Sequence, residues 1–381
     1  MWTRPRIAST TAVLAVFALL AWLAFHSSEP SYHGKSLSAW LEQARQNEEI
    51  ENPFSDIYLD TPSARAVRAM GKDALPFLLR MAHTRDTPLR RSMVDLSRRY
   101  DWLRIHPQRF EDIQMKVAYG FLVLGPGARP ALPELISMLD DPAHEVRVVA
   151  AFAIGKIGPD GASAIPALQR LITNSVSASL QRKVSTDERA LPAYALGAMG
   201  SAARPALAQL ELLRKDSNTF VREIAEAAFI KISGTRLDAI LDPLKDPDST
   251  NWTFAAETIR FLGTNGAPAI PFLIQALQHT NLSGRDLALN SLSAIHMLPE
   301  ITVPAILPVL AATNTNAGQR ATALIILRNL GPSAHTLVST TTLLQALQDP
   351  DKNIRIHATN TLRQIDPEAA RKAGIDSGDS N

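Results

Sequence analysis

The stretch from Gly125 to Gly158, GPGARPALPELISMLDDPAHEVRVVAAFAIGKIG, limits what this chain can fold into more than any other. It reads as two short helices joined by an Asp-Pro turn, and the same unit returns along the sequence. With Arg147 as the start of the second helix, the comparable starts are Arg189, Arg222, Trp252, Arg285, Arg320 and Arg355. Three residues on stand Ala150, Pro192, Ala225, Ala255, Ala288, Ala323 and Ala358. Seven on stand Ile154, Leu196, Phe229, Ile259, Leu292, Leu327 and Leu362, and ten on Ile157, Met199, Ile232, Leu262, Ile295, Leu330 and Ile365. Offsets of three, seven and ten share one helical face, so they predict a buried stripe. A small residue at one fixed place lets a neighbouring helix approach closely. Eleven residues on, the chain reaches Gly158, Gly200, Ser233, Gly263, His296, Gly331 or Asp366, and the glycines predict left-handed C-caps.

The first helix of each unit is equally regular: ALPFLL from Ala74, ALPELI from Ala131, AIPALQ from Ala164, AIPFLI from Ala269 and VPAIL from Val303. Proline in a first turn costs no hydrogen bond, because that N–H has no partner within the helix. Asp141, Asp216, Asp246 and Asp349 stand in the turns, where they are expected to cap the next helix. The late starts lie 33 to 35 residues apart. Such a period means helical pairs that bury their apolar faces only by stacking. The predicted class is all-α, an α-solenoid of about eight or nine repeats.

On these motifs the chain resembles the HEAT-repeat proteins, and among them those of bacterial envelopes that carry an N-terminal anchor. The resemblance spans roughly residues 60–366. It implies that a turn Asp and an Arg six residues later form a ladder between successive repeats. The matching pairs are Asp141 with Arg147, Asp216 with Arg222, and Asp349 with Arg355. Trp252 replaces the Arg after Asp246, while His279 and Asn314 replace the Asp before Arg285 and Arg320, so a break in mid-array is expected. The segment KSLSAWLEQARQ from Lys35 is similar to one that follows the anchor in such envelope proteins. Leu37, Trp40, Leu41 and Ala44 share a face there, which suits a helix capping the first repeat.

The chain's 381 residues are 46% hydrophobic, enough for a large core, and its net charge of +2 argues against a general polyanion binder. It has no cysteine, which excludes disulfides, thiolate metal sites, thiol nucleophiles and a lipidated-cysteine anchor. Residues 1–26 read as a targeting segment. Arg4 and Arg6 precede an apolar run over residues 8–25, at the short end of what spans a bilayer. No small-x-small cleavage site follows, so an uncleaved anchor is the preferred reading and a cleaved signal peptide its rival. The arginines put the N-terminus in the cytoplasm and the body in the periplasm, tethered to the inner membrane. Residues 27–60 read as a polar linker with the capping helix, 61–366 as the solenoid, and 367–381 as a polar tail.

Two departures lie in the N-terminal half. An Arg-rich insert near residues 84–110 carries Arg90, Arg91, Arg98, Arg99 and Arg104 with Trp102 among them. It suits an anionic headgroup or an acidic protein face, because guanidinium pairs its donors with phosphate and carboxylate. An exported body makes nucleic acid an unexpected partner. The polar stretch TNSVSASLQRKVSTDE reads as a surface loop, and Pro192 as a kink or late start of the helix after it. On the second helices, Arg260, Arg328 and Arg363 fall eight residues from their starts and are expected half-exposed on a basic groove for an acidic segment. The nine histidines show no metal-ligand spacing, and no nucleophile elbow or phosphate loop stands out. No cofactor, metal or catalytic residue is expected. The function expected is a non-enzymatic scaffold or adaptor for an envelope protein, with a lyase-like enzyme on the same frame as the alternative.

Overall fold

The computed structural model of the protein describes residues 29–47, 61–99, 109–179, 185–278, 282–311 and 315–375. The apolar run 8–25, Trp102, Arg104, His279, Asn314 and the last six residues of the tail lie outside them. The chain folds as two compact units, Met1–Ile157 and Gly158–Asn381. It is an all-α solenoid of helical pairs with one addition, a two-stranded hairpin at the described N-terminal end.

That hairpin pairs β1 (Ser31–Tyr32) with β2 (Lys35–Ser36), a segment expected to be only linker. His33 and Gly34 both take positive φ, 49° and 72°, as a two-residue hairpin turn requires. Helix α1 (Leu37–Gln46) follows directly, with Ser36 as its N-cap. Leu37, Leu41 and Ala44 are fully buried where α1 packs on α2 (Pro62–Met70) and α5 (Phe110–Leu124). Trp40 is half-buried and donates its indole N–H to the Tyr32 carbonyl at 3.2 Å, tying helix to hairpin. A second tie is ionic. Lys116 of α5, only 2% exposed, meets Glu42 of α1 at 2.5 Å. The Arg45 hydrogen bond, with Lys116 beside it, holds the Glu42 carboxyl down at about 2.

The rest of this unit is α3 (Leu75–Ala82), α4 (Pro88–Arg99), α6 (Leu132–Met138) and α7 (His144–Ile157). Helices α3, α5 and α7 pack in succession, and α6 pairs with α7. Helix α4 lies in the Arg-rich insert, and none of its described side chains is buried.

The second unit begins with a 3₁₀ turn at Gly158–Ala164 and α8 (Ile165–Ser179), followed by α9 (Thr186–Met199). Its later helices are α10 (Leu207–Leu213), α11 (Thr219–Ser233), α12 (Asp238–Leu244), α13 (Trp252–Leu262) and α14 (Ile270–Ala276). The unit ends with α15 (Leu282–Ile295), α16 (Pro299–Ala311), α17 (Ala317–Leu330), α18 (Thr340–Ala346), α19 (Lys352–Ile365) and α20 (Pro367–Lys372). The odd-numbered helices α9 to α19 are the second helices, and each packs on the next. The small residues three places in, Ala225, Ala255, Ala288, Ala323 and Ala358, are all at most 1% exposed at these crossings.

Four expectations need correcting. The stretch TNSVSAS is not loop but the last turns of α8. Its hydroxyls bond back to the preceding turn, Thr173 to the Gln169 carbonyl and Ser177 to that of Thr173, so a polar helix satisfies itself. Helix α9 starts at Thr186, capped by Ser185, and simply contains Pro192, so its start is not late. Phe229 is half-buried rather than core, because α11 buries Val221, Ile224, Ala225, Ala228 and Ile232, and Arg214 lies over the Phe229 ring at 4.4 Å. The recurrent glycines are not left-handed α. Gly125, Gly200, Gly263 and Gly331 have φ of 49° to 59° with ψ of −127° to −143°. That mirror-image extended region is open to glycine alone, and it throws the chain into a 3₁₀ turn leading to the next first helix. Gly234, which comes one place late, is left-handed (φ 71°, ψ 22°), and no 3₁₀ turn follows it.

The run His144–Ser177 is apolar and long enough to cross a membrane by composition. However, 61% of its most apolar window is buried inside the structure, and the 3₁₀ turn at Gly158 interrupts it. It is core.

A candidate interaction surface at a gap in the arginine ladder

The ladder is built differently from a simple Asp–Arg pair within one repeat. Three second-helix arginines donate to the backbone carbonyl of the Asp in their own turn: Arg222 to Asp216 at 2.7 Å, Arg355 to Asp349 at 2.8 Å, and Arg147 to Asp141. The Asp carboxylates do two other jobs. One oxygen accepts from the N–H two residues on, closing an Asx turn at 2.8 Å for Asp141 and Asp216 and at 2.9 Å for Asp349. The turn aspartates are therefore not the helix caps expected of them. Asn218 and Asp351 take that role.

The carboxylate also receives the arginine of the preceding repeat. Arg189 grips Asp216 with two bonds, 2.8 and 3.2 Å, and Arg320 grips Asp349 at 3.0 and 3.1 Å. In the first unit, Arg85 reaches Asp141 at 3.2 Å. Burial raises the Asp349 carboxyl, but the Arg320 bond and the Asp351 N–H outweigh it and hold the group below its ordinary value. The Arg189 and Asp216 side chains are each 10% exposed, so this is a shielded, two-pronged rung.

Between those rungs the ladder stops. Asp246 keeps its Asx turn to the Asp248 N–H at 3.1 Å but is exposed. Trp252 occupies the arginine place and is 4% exposed, with its indole N–H unpartnered. Arg285 is half-buried and its Nε has no partner.

At this gap a cleft of about 370 Å³ opens between α13 and α15. Pro247, Ser249, Trp252, Thr253 and Glu257 form one wall, and Ser283, Asp286, Leu287 and Asn290 the other. Two carboxylates are steered there. Glu257 pairs with Arg260 at 2.6 Å, and Asp286 accepts from the buried Gln319 amide at 2.6 Å. The two walls are fastened together, because the buried Ser291 hydroxyl donates to the Ala256 carbonyl at 3.0 Å. Beside the first wall, Glu223 of α11 is 6% exposed; burial first, and then the charge of Glu257, push its carboxyl up to about 7. The arrangement offers two carboxylates with small hydroxyl and amide groups beside the buried Trp252, a set that recognises a cationic, hydrogen-bonding chain.

The arginines of the expected basic groove do not assemble as one. Arg260 is half-buried, paired with Glu257 and stacked on Phe261 at 4.3 Å. Arg328 is a correction: it is 8% exposed, because its face is covered by α19, where burial and its charge push His357 down to about 4. Arg363 is half-buried with its Nε shielded and unpartnered. In the insert, Arg90 is half-buried, Arg91 pairs with Asp86 at 2.7 Å, and Arg99 is exposed. Arg98 lies in α4, its side chain outside the described residues. The cleft residues were not expected from the sequence, although Trp252 in an arginine place was the available signal.

A model of the HEAT-repeat family matches residues 132–230 of the chain. That match, and the stacked pairs that continue beyond it, identify HEAT repeats within the chain. No curated protein matches the sequence. Among solved structures, an engineered protein aligns at 16% identity over 90% of this chain and 93% of its own, with a TM-score of 0.32. The complex of CpcE and CpcF of phycocyanin lyase from Nostoc sp. PCC7120 aligns at 19% identity over 87% of this chain and 96% of that one, with a TM-score of 0.39. At TM-scores this low the backbones do not superpose as wholes, so neither likeness bears on what the chain does.

Proposed function

We propose that this HEAT-repeat protein is a non-enzymatic scaffold, tethered to the inner membrane by residues 8–25, whose periplasmic body holds an envelope protein in the cleft between α13 and α15. One observation carries the reading. Where neighbouring rungs spend their arginines and carboxylates on each other, this seam keeps Trp252, Glu257 and Asp286 around open space. Repeats that contact only their neighbours present a long surface, and a gap in their cross-links leaves room for a guest side chain beside carboxylates held in place by Arg260 and Gln319. The guest is a segment bearing Arg or Lys, since the carboxylates favour a cation. This reverses the acidic partner expected for a basic groove, because Arg328 is covered and Arg260 is already paired.

The test is photo-crosslinking from the exposed Asn290 in membranes, with a probe at the exposed Glu368 as control. One envelope protein should crosslink from Asn290 and not from Glu368. The double variant Glu257→Gln, Asp286→Asn should lose it while melting normally. Undiminished crosslinking in the double variant would remove the cleft from the proposal.

A further inference from the structure

We propose that α4 is a membrane-surface helix, lying on an anionic phospholipid bilayer with its apolar stripe among the headgroups; this rests on the tether proposed above. Leu89, Met93 and Leu96 are 71%, 42% and 46% exposed. Spaced four and then three residues apart, they fall on one side of the helix. An apolar stripe in a soluble helix is ordinarily what holds it to its neighbours, yet this helix forms no packed layer with any other described element and buries none of its described side chains. Among the described residues, none covers its hydrophobic face.

Charge decides what covers it. The helix, PLRRSMVDLSRR, carries four arginines against one aspartate, and Arg91 and Arg99 are exposed. A basic helix with an apolar stripe and low overall hydrophobicity is built to lie in a bilayer interface, its guanidinium groups on phosphates. An acidic protein groove would share the charge preference. The tether favours lipid, because it keeps the body at the bilayer surface and supplies a high effective concentration for a contact too weak to form from solution.

The chain has no cysteine, so a single one at Met93 can carry an environment-sensitive fluorophore. The full chain is reconstituted into vesicles of phosphatidylcholine, with or without phosphatidylglycerol, and floated. A second preparation carries the probe at Glu368. Emission from the Met93 probe should rise and shift to the blue in the anionic vesicles only. It should fall back at high salt and remain unchanged at Glu368. In the variant Arg90→Gln, Arg91→Gln the ratio of docked to free helix should fall about 30-fold, from about 1 kcal/mol per arginine at an anionic surface.

A chain that fails to float sinks the tether and this assignment with it. A floating chain whose Met93 probe does not respond overturns α4 docking and leaves the tether standing. An equal response in neutral vesicles, or an equal response at Glu368, also overturns it. So does a response to added polyglutamate greater than that to anionic lipid, which would assign the face to an acidic protein.

Discussion

The seam between α9 and α11 and the seam between α13 and α15 use the same second-helix frame and are joined differently. The first has a shielded rung from Arg189 to Asp216. It also has a close approach at Gly197, where an added Cβ would stand 3.0 Å from both Cα and Cβ of Ala228. The second has Trp252 where the arginine belongs and Arg260 at the place equivalent to Gly197, eight residues from the helix start. It keeps a buried hydroxyl tie through Ser291 but has a cleft in place of the rung. Apolar stacking and one hydroxyl tie therefore keep a repeat in the array without a rung. The ladder adds stiffness and consumes polar groups, and recognition becomes available where it is omitted.

The largest effect expected from breaking the joined seam is at its rung. Asp216→Ala takes the two-pronged partner from the shielded Arg189 guanidinium, and also opens the Asx turn to Asn218. Removing one partner of a buried pair costs about 3–5 kcal/mol. Denaturant unfolding of the variant checks this, and a loss below about 1 kcal/mol would place the pair among ordinary surface ion pairs. Next comes the close approach. Gly197→Val forces atoms into the Ala228 backbone and should cost about 1–3 kcal/mol by overpacking. An unchanged melting curve there would mean that α9 and α11 can slide apart freely.

The contrast between seams also shows what was legible beforehand. The buried stripe and its alanines were visible because a helix repeats its faces within one turn, so local spacing encodes them. The break was visible too, as a wrong residue at Trp252 in a regular series. The rung partners were not, because Arg189 and Asp216 are 27 residues apart and the nearer partner, Arg222, spends its donors on a backbone carbonyl. Arg328 looked surface-facing because only the following repeat, through α19, covers that side. The tie from Lys116 to Glu42 joins α5 to a helix far earlier in the chain, and no periodicity announces it. Likewise the cleft exists only once α13 and α15 are set side by side, so its second wall, Asp286 and Asn290, had no signature of its own.

Glu223 offers a smaller effect of the opposite sign. Its carboxyl sits at about 7 in the fold against an ordinary 4.5, so between those values the folded chain holds a proton that the unfolded chain has released. Stability from this group is therefore greatest below 4.5 and is lost as pH rises through about 7. Glu223→Gln keeps the shape and removes the titration. It should leave stability nearly unchanged in acid and raise it by about 1–2 kcal/mol above neutrality. His357, held near 4, works the other way as pH falls, so the variant must be compared with the parent chain at each pH. A gain of equal size at acidic and alkaline pH would mean that the carboxyl's ionisation is not what strains this place.

The smallest effect is the sharpest test of the comparison, because it repeats the first substitution at the seam without a rung. Asp246 has the same turn position as Asp216 and the same Asx bond, to Asp248 at 3.1 Å, but no arginine among the described residues reaches it and it is exposed. Asp246→Ala removes one exposed turn hydrogen bond and strands no buried charge. Its cost should stay below about 1 kcal/mol, the net value of a single such bond. The difference between the two aspartate variants then isolates the rung, because the Asx turn cancels between them. If Asp246→Ala cost as much as Asp216→Ala, the turn and not the cross-link would be what the aspartates contribute. The open seam would then owe its cleft to the bulk of Trp252 rather than to the missing arginine.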